Sequence, residues 1–495
     1  MPKRYSVSSV VLYLLFMAGI AGAQNAPLDL DRYESFEGFI DTWWDEETGR
    51  MLVRVDEFDT PFIYQASLPR GVGSNDIGLD RGQLGTTKIV RFLRSGPKVL
   101  LVEDNLQYRA DSENATERRA IDESFARSVI WGFVDIDASD DSTVIDATAF
   151  FVRDAHGVGT RLAMMGEGSF KVDDSRSAIF LPRTKSFPDN TEVEAVVTLV
   201  GTPTGKHLPS VMPDRNALTV HVHHSFIRLP DDNYEPLPYD PRSGVIGLRY
   251  DDGGFLDYAT PVGDALIRDF GRRHRLEKVD PEAEVSEAVE PIVYYLDSGA
   301  PEPVRSALLE GARWWAQAFE AAGYKDAYRV EMLPDGADPM DVRYNVIQWV
   351  HRSTRGWSYG SSVLDPRTGE ILKGHVSLGS LRVRQDYLIA EGLLAPYVDE
   401  TVPPEMLEMS LARIRQLSAH EVGHTLGFEH NFAASTQNRS SVMDYPFPLV
   451  KITAAGELDL SDAYDVGIGE WDKLSLIHIS EPTRPPSTSR MPSSA

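Results

Sequence analysis

The chain contains HEVGHTLGFEH at residues 420–430, which fits the pattern HExxHxxGxxH at every fixed position. On a helix, residues four apart share a face, so the imidazoles of His420 and His424 can reach one metal ion. Gly427 can take the left-handed conformation that ends a helix, and the turn that follows brings His430 round as a third nitrogen ligand. Three protein ligands leave a fourth position open to water, an arrangement typical of catalytic zinc.

The residues before this stretch predict a buried helix. Pro403 and Pro404 mark its start, because proline is tolerated in the first turn of a helix. Apolar residues then recur at helical spacing and predict one buried face, formed by Leu407, Leu411, Ile414 and Leu417. The complete motif on such a helix indicates a metal site rather than surface histidines that match by chance. Glu421, beside the first ligand, is the candidate general base.

A second motif follows the histidines, since residues 441–446 read SVMDYP. Together the two motifs resemble the metzincin clan of zinc peptidases, in which a methionine-containing turn lies beneath the metal. The resemblance assigns Met443 to that turn, as an apolar floor under the imidazoles; ordinary core filling is the alternative. It places Tyr445 near the zinc, where its phenol can donate a hydrogen bond to a developing oxyanion. A tyrosine that only packs in the turn is the alternative there.

Further phrases narrow the resemblance to the bacterial Met-zincin proteins, over about residues 30–473. They are YYLD at 294–297, GARWW at 311–315, the run 345–356, and HEVGHTLGFEHNFAAS followed by SVMDYP. Met-zincins are exported, zinc-dependent, peptidase-like proteins whose catalytic domain follows N-terminal domains of unknown function. The resemblance implies an α+β chain: a β-rich N-terminal region, then a zincin-like catalytic domain with a twisted sheet, an active-site helix and a Met-turn.

Composition and the family resemblance together predict the divisions of the chain. Residues 474–495, which contain SLIHISEPTRPPSTSR, depart from the family pattern and resemble the translation of a sequencing adapter joined to a broken reading frame. The alternative is a genuine disordered tail rich in proline and serine. The predicted divisions are a signal peptide at 1–23, a β-rich N-terminal region of unknown function at 24–230, a linker or wrapping segment at 231–285, a metzincin-like catalytic domain at 286–473 that is incomplete at its C-terminal end, and a non-native tail at 474–495.

Hydrophobic periodicity predicts the elements within these divisions. In the N-terminal region, β-rich runs predict strands at 50–55, 62–68, 88–93, 98–103, 144–153, 193–201 and 217–229, and a helix is predicted at 117–131. In the catalytic region, the pattern alternates between strand and helix. The predictions there are strands at 291–296, 328–333 and 344–350, a helix at 303–322, and a hairpin of 359–364 with 371–378.

The first residues predict export. Lys3 and Arg4 precede an apolar run and a small-residue cleavage site at 21–23, so the mature chain is expected to begin near Gln24. No later stretch is apolar enough to span a bilayer, and the expected location is periplasmic or extracellular, as a soluble protein. The chain has no cysteine, so its stability cannot come from disulfides.

A formal net charge of −26 argues against a nucleic-acid partner, because phosphates would be repelled. The expected partner is a peptide or protein substrate, and the oligomeric state is left open.

Two other places were candidates for function. His221 and His223 lie on one strand face and could bind metal, but alternation alone explains them and favours a structural strand. Residues 375–378 are assigned to an edge strand that pairs with an extended substrate, a plain hairpin being the alternative.

The sequence therefore predicts a zinc-dependent endopeptidase, in which Glu421 takes a proton from the attacking water and delivers it to the leaving amine. The alternative is a non-catalytic exported binding protein with a structural or vestigial zinc site. A structural site would not need Glu421 and would prefer a fourth protein ligand to water. Three imidazoles would also accept other divalent ions, so zinc is expected but not the only ion possible.

Overall fold

The computed structural model describes residues 28–139, 141–248, 254–395 and 402–480. The predicted signal peptide and residues 481–495 of the predicted tail lie outside these ranges. Within them, no helix is both long enough and apolar enough to cross a membrane.

A large antiparallel sheet fills the N-terminal region. Its strand order is β1-β2-β3-β10-β9-β7-β6-β4-β15-β14-β11, with β12 and β13 beside β14 and β5 beside β4. The strands are β1 (Glu34–Phe36), β2 (Thr42–Asp45), β3 (Arg50–Val55), β4 (Phe62–Arg70), β5 (Gln83–Leu84), β6 (Lys88–Ser95), β7 (Lys98–Glu103), β8 (Tyr108–Arg109, outside this sheet), β9 (Ser128–Ala138), β10 (Thr143–Asp146), β11 (Gly168–Val172), β12 (Ala178–Ile179), β13 (Lys185–Ser186), β14 (Asn190–Pro203) and β15 (Ala217–Ile227). The helices of this region are α1 (Ala115–Ser124), α2 (Thr148–Phe151) and α3 (Val158–Met164).

Two predicted elements differ from the structure. The predicted helix at 117–131 ends early, and Trp131 lies in β9, where it pairs with Leu101 of β7. The predicted strand at 144–153 stops at Asp146, because the Asp146 carboxylate accepts a hydrogen bond from the backbone N–H of Thr148 at 3.0 Å and starts a helical turn. Pairing with a distant strand decides the backbone in the first place, and a local side-chain cap decides it in the second.

A wrapping segment and a second sheet follow. The strands of the wrapping segment are β16 (Leu237–Pro238), β17 (Phe255–Asp257), β18 (Ile267–Arg268), β19 (Phe270–Gly271) and β20 (Arg273–His274), and β21 (Ser286–Glu287) comes next. The later strands are β22 (Ile292–Leu296), β23 (Tyr324–Lys325), β24 (Tyr328–Met332), β25 (Asn345–Val350), β26 (Tyr359–Leu364), β27 (Glu370–Gly379), β28 (Lys451–Ile452) and β29 (Leu458–Asp459). The later helices are α4 (Val304–Arg313), α5 (Ala316–Ala321), α6 (Arg382–Leu394), α7 (Glu405–Thr425) and α8 (Glu470–Ser480).

The second sheet has the order β20-β27-β25-β22-β24, with β26 also paired to β27. All its pairs are parallel except β26 with β27. One face of this sheet and the helices α4, α5 and α7 share the largest apolar cluster of the molecule, which contains Tyr294, Leu308, Ile347, Val376 and Val422. The predicted β-rich N-terminal region followed by a part with helices is thus confirmed in outline. The wrapping segment contributes one strand, β20, to this sheet. The predicted bounds of the divisions stay predictions.

The opposite face of the second sheet is polar and yet buried. Gln348, Lys373, His375 and Ser377 on this face are each no more than 1% exposed. The N-terminal region covers them, and Gly82 is so close that a Cβ there would lie 1.9 Å from Oε1 of Gln348. A small apolar cluster also joins the two halves, with Ile63, Ile89, Ile227, Val342 and Val363. The two sheets therefore pack as one body.

The assignment of residues 375–378 to an edge strand is wrong. These residues belong to β27, which lies between two neighbours: Val376 pairs with Ile347 of β25 on one side and with Gly360 of β26 on the other. Both sets of backbone groups are therefore used within the sheet. Among the described residues β26 pairs with β27 alone, so one edge of β26 is free; β24, at the far end of the sheet, is also an edge strand.

Residues 474–480 of the predicted tail continue helix α8. Leu476 and Ile479 are buried in the same apolar cluster as the second sheet. The carbonyl oxygen of Ile479 accepts a hydrogen bond from Arg273 at 2.6 Å. This part of the predicted tail thus contributes to the core.

We expect Gly311→Ala to destabilise the fold by about 1–3 kcal/mol. A Cβ at Gly311 of α4 would lie 2.0 Å from the carbonyl oxygen of Arg415 in α7, so the two helices would have to separate. Gly392→Ala in α6 is the control, because its Cβ would meet nothing within 4 Å. Thermal denaturation followed by circular dichroism compares them. Equal midpoints for the two variants would contradict the close approach of α4 and α7.

Candidate metal centre

Helix α7 and the turn after it carry the three histidines of the motif. The helix begins after Pro404 and has acidic residues in its first turn, which suit the positive end of the helix dipole. It ends before Gly427, whose φ of +105° is unfavourable for other residues. A Cβ on Gly427 would also lie 2.1 Å from the carbonyl oxygen of Arg272. Both constraints make this position specific for glycine.

The wrapping segment holds the chain that follows the helix. The backbone N–H of Ile246 donates to the carbonyl of Gly427 at 2.8 Å, and the N–H of Glu429 donates to the carbonyl of Gly244 at 2.9 Å. These two bonds fix the loop that carries His430. The bend expected at Gly427 is present, but its direction is set by residues far away in the sequence.

The three histidines come together at one point. The candidate ligand atoms of His420, His424 and His430 all lie within 4.8 Å of one another. The ring centroid of His424 lies 4.8 Å from that of His420 and 4.6 Å from that of His430. Exposure increases from His420, which is buried, to His430, which is exposed. The cluster therefore opens to solvent on the side of His430.

Backbone carbonyls orient two of the rings. Nδ1 of His420 donates to the carbonyl of Val442 at 2.8 Å, and Nδ1 of His424 donates to the carbonyl of Phe428 at 2.8 Å. Because a carbonyl only accepts, Nδ1 carries the hydrogen and Nε2 keeps its lone pair. Nε2 of His420 is buried and has no hydrogen-bond partner within the described part of the chain.

Burial lowers the pKa of each imidazole in the cluster. The pKa of His420 lies well below its usual range, that of His424 falls to about 4, and that of His430 is also lowered. The rings are therefore neutral near pH 7, as metal ligands must be.

Glu421 is 4% exposed and lies on α7 between the first two histidines. Burial raises the pKa of its carboxyl to about 8, against the opposing charges of Arg413 and Arg382. Removal from water thus increases the proton affinity of this carboxyl.

Met443 packs beneath the helix, where Gly423 leaves room for it. A Cβ on Gly423 would lie 2.3 Å from Sδ of Met443 and 2.7 Å from Cζ2 of Trp315. Trp315 also donates its indole N–H to the carbonyl of Ala419 at 2.7 Å, one residue before the first histidine. The sequence predicts the methionine, but Gly423 occupies an unspecified position of the motif, so its role is visible only in the packing.

Asp472, on α8, supports the turn that contains Met443. Its buried carboxylate accepts hydrogen bonds from Oγ of Ser441 at 2.5 Å and from the backbone N–H of Val442 at 2.8 Å. The carbonyl of Val442 in turn accepts the Nδ1 hydrogen of His420. Asp472 therefore acts on a histidine through one peptide unit. No local pattern links it to the motif, since Asp472 and Ser441 are 31 residues apart.

Tyr445 lies beside the histidine cluster. Its ring centroid is 4.5 Å from that of His430 and 5.1 Å from that of His420. The side chain is 52% exposed, so a molecule bound beside the histidine cluster can reach it. The structure thus places Tyr445 next to two of the three predicted ligands.

Strand β26 runs along α7 next to the cluster. A Cβ on Gly360 would lie 2.6 Å from the carbonyl oxygen of Glu421 and 2.9 Å from Cβ of His424. Only glycine allows this approach. The free edge of β26 therefore borders the histidines.

The second histidine group is a buried ion-pair network. His221 lies 2.5 Å from Glu194, and His223 lies 2.8 Å from Glu192, both glutamates being on the neighbouring strand β14. Burial would lower the pKa of His223, but hydrogen bonds to Glu192 and Glu194 outweigh it and raise the pKa to about 10. The sequence did not predict these carboxylates, because they reach the histidines through the pairing of β14 with β15.

The donor set of the α7 cluster fits a zinc ion. Three neutral imidazoles with convergent nitrogens are a common ligand set for catalytic zinc. Among the described residues, this is the one group whose ligand atoms could hold a metal ion, and it includes no fourth protein ligand. A bound ion would thus have a position open toward solvent.

Two sequence families match the chain. Residues 403–477 match the family described as Met-zincin. Residues 82–279 match a domain of unknown function (DUF5117). The resemblance found in the motifs is thereby confirmed, as is the presence of an uncharacterised domain before the motif-bearing part.

No curated protein matches the chain. Among solved structures, the chain is similar to one titled "GM1 bound form of the ECX AB5 holotoxin", at 16% identity, over 38% of this chain and 80% of that one. The TM-score is 0.22, so nothing about fold or ligand follows from this likeness.

We expect Asp472→Asn to weaken zinc binding roughly 10-fold, as loss of the groups that orient metal ligands usually does. The amide cannot accept both hydrogen bonds that fix the turn at 441–443. Asp462→Asn is the control, because Asp462 pairs with Arg439 and Lys451 near the surface and does not contact that turn. Zinc affinity is measured by competition with a chromogenic chelator. Equal affinities for the two variants would show that Asp472 does not support His420.

Proposed function

Because residues 403–477 match the Met-zincin family, we propose that the protein is a zinc-dependent endopeptidase with Glu421 as its general base. The observation that carries the proposal is the convergence of three histidine nitrogens within 4.8 Å, with a buried glutamate directly after the first of them. The family match and the histidines support a zinc metallopeptidase. Endopeptidase action and the roles of single residues are our inference.

His420, His424 and His430 are the residues that would hold the ion. When bound, zinc would supply Lewis acidity, which lowers the pKa of water and polarises the scissile carbonyl. Hydrogen bonds from Nδ1 hold the rings of His420 and His424 in place before any ion binds. The exposed side at His430 is where substrate and water would enter.

Glu421 would move the proton. As a water oxygen forms its bond to the carbonyl carbon, the ionised form of Glu421 takes a proton from that water. A cation held by the histidines would favour this ionised form over the neutral acid that burial favours. It then delivers the proton to the amide nitrogen as the C–N bond breaks, so a carboxylic acid and an amine leave. Glu421 lies three residues before His424 on α7, so the two side chains are neighbours on the helix surface and the base lies beside the reacting atoms.

Tyr445 would stabilise the negative charge that develops on the carbonyl oxygen. Its exposed phenol, next to the rings of His420 and His430, can donate a hydrogen bond to that oxygen. Packing with the imidazoles restricts the ring, which makes the phenol a preorganised donor.

The free edge of β26 is the place where an extended peptide would pair. Unpaired backbone groups at a sheet edge bind extended chains by adding a strand. Gly360 places this edge against α7 at His424. The substrate would accordingly be an unstructured stretch of polypeptide, whose main chain is recognised more than its side chains.

The alternative of a non-catalytic binding protein has less support. A structural zinc site is closed by four protein ligands, whereas the described residues supply three. A structural site would also gain nothing from a carboxyl that costs free energy to bury at Glu421. We therefore favour catalysis.

We expect Glu421→Gln to retain one zinc per chain and to lower kcat by about 10²–10⁴, because the amide binds no proton. His420→Ala is the companion variant, and it should lose the metal. Metal content is measured by atomic emission, and cleavage is measured with denatured casein. Full activity in Glu421→Gln would remove Glu421 from the mechanism, while one zinc without cleavage in the wild type would support the binding-protein alternative.

We expect Tyr445→Phe to lower kcat by about 10² with little change in KM, since loss of one oxyanion donor typically has this effect. The ring and its packing against His430 remain in this variant. Phe447→Ala serves as the control, because Phe447 is exposed but has no hydroxyl group. Steady-state kinetics with a fluorogenic peptide separates kcat from KM. If Tyr445→Phe kept the wild-type kcat, the phenol would have only a packing role.

A further inference from the structure

A buried ion pair joins the N-terminal region to the half of the chain that contains the second sheet and the histidine cluster. The carboxylate of Asp80 accepts two hydrogen bonds from the guanidinium of Arg352, at 2.7 and 2.8 Å. The side chains are 5% and 2% exposed, respectively. Two parallel bonds fix the relative position of both groups, and loss of one partner would leave the other charge buried and unpaired.

The same carboxylate also contacts the edge strand. The hydroxyl group of Tyr359, the first residue of β26, donates to Asp80 at 3.3 Å. Arg352 donates a further hydrogen bond to the carbonyl of Trp357 at 2.9 Å. Asp80 therefore holds the segment that leads into β26 near both of its ends.

The loop that carries Asp80 lies along this segment. The backbone N–H of Ser353 donates to the carbonyl of Gly73 at 2.8 Å. A Cβ on Gly356 would lie 1.7 Å from Oδ1 of Asn75, so the loop and the segment are in close contact there. Trp357, next to this contact, is 65% exposed. The loop at 73–80 thus borders the surface just before the free edge begins.

The contact continues to the histidine helix. Gly360 follows Tyr359 directly and packs against the backbone of Glu421 and Cβ of His424. The path from Asp80 to α7 therefore passes through one tyrosine and one glycine. A shift of Tyr359 would move the free edge relative to the cluster.

We propose that Asp80 is a positioning residue of the peptidase: from the N-terminal region it sets the place of strand β26, and the loop at 73–80 completes one end of the substrate groove. The proposal rests on the proposed function, since β26 is the strand that would pair with substrate. Under this proposal the N-terminal region contributes to substrate binding. Removal of the N-terminal region would therefore disrupt the substrate groove.

The test compares two matched variants, Asp80→Asn and Asp338→Asn. Asp338 also pairs with an arginine across the two halves, at 3.0 Å from Arg183, but it does not contact the segment at 352–364. Hydrogen exchange measured by mass spectrometry reports on the backbone without any need for activity. We expect faster exchange at 352–364 in Asp80→Asn alone, with zinc content unchanged.

Kinetics with denatured casein gives the second readout. We expect Asp80→Asn to raise KM about 10-fold, because misplacement of the edge by a fraction of an ångström weakens pairing, with a smaller change in kcat. Tyr359→Phe keeps the buried ion pair and removes the hydroxyl group that links Asp80 to β26. It should show a smaller increase in exchange, confined to β26, and this variant decides the matter if Asp80→Asn does not fold.

Unchanged exchange at 352–364 in both Asp80→Asn and Tyr359→Phe would overturn the proposal, and so would the same change in Asp338→Asn. These outcomes are separate from the fate of the proposed function. If the wild-type chain binds zinc and cleaves no peptide, the peptidase assignment fails, while the exchange data still show whether Asp80 positions β26.

Discussion

The candidate metal centre depends on the hydrogen bond from Nδ1 of His420 to the carbonyl of Val442. A helix can present two histidines on one face, but it cannot by itself choose which nitrogen of each ring faces the metal. The carbonyl makes that choice for His420. Gln416 donates to the same carbonyl at 2.9 Å, and Asp472 holds the N–H of the same residue. The turn at 441–443 is therefore as much a part of the site as the helix is.

Close approaches to the backbone of α7 make this arrangement possible, and glycine permits each of them. Gly311 allows α4 to lie against α7, Gly423 admits Met443 beneath the helix, and Gly360 lets β26 lie over it. A side chain at any of these positions would push a neighbour away from the histidines. The helix is buried by contacts on several sides, and this burial removes Glu421 and His420 from water.

The N-terminal region and the second sheet form a joint structure with a polar interface. The covered sheet face carries Lys373 and His375, and the contacts between the halves include the pair of Asp80 with Arg352. Such an interface fixes the relative position of the two halves more than it stabilises their association, because the cost of desolvation offsets much of the attraction between paired charges. Its contribution is to set where the edge strand lies.

The residues themselves predict the chemistry of the site. The spacing of His420, His424 and His430, with Gly427 between the last two, is local information, since helix periodicity and the freedom of glycine act over a few residues. The strands at 50–55 and 98–103 were also predictable with their bounds, because a short run of strand-favouring residues is local information as well.

The tertiary structure decided the features that depend on contacts between residues distant in the sequence. It showed that β26, and not residues 375–378, has the free edge, because strand order arises from pairings that no periodicity records. It also brought Asp472 to the turn and Asp80 to Tyr359, across gaps of 31 and 279 residues. Contacts of this kind follow from how the elements pack, and a local sequence pattern does not predict them.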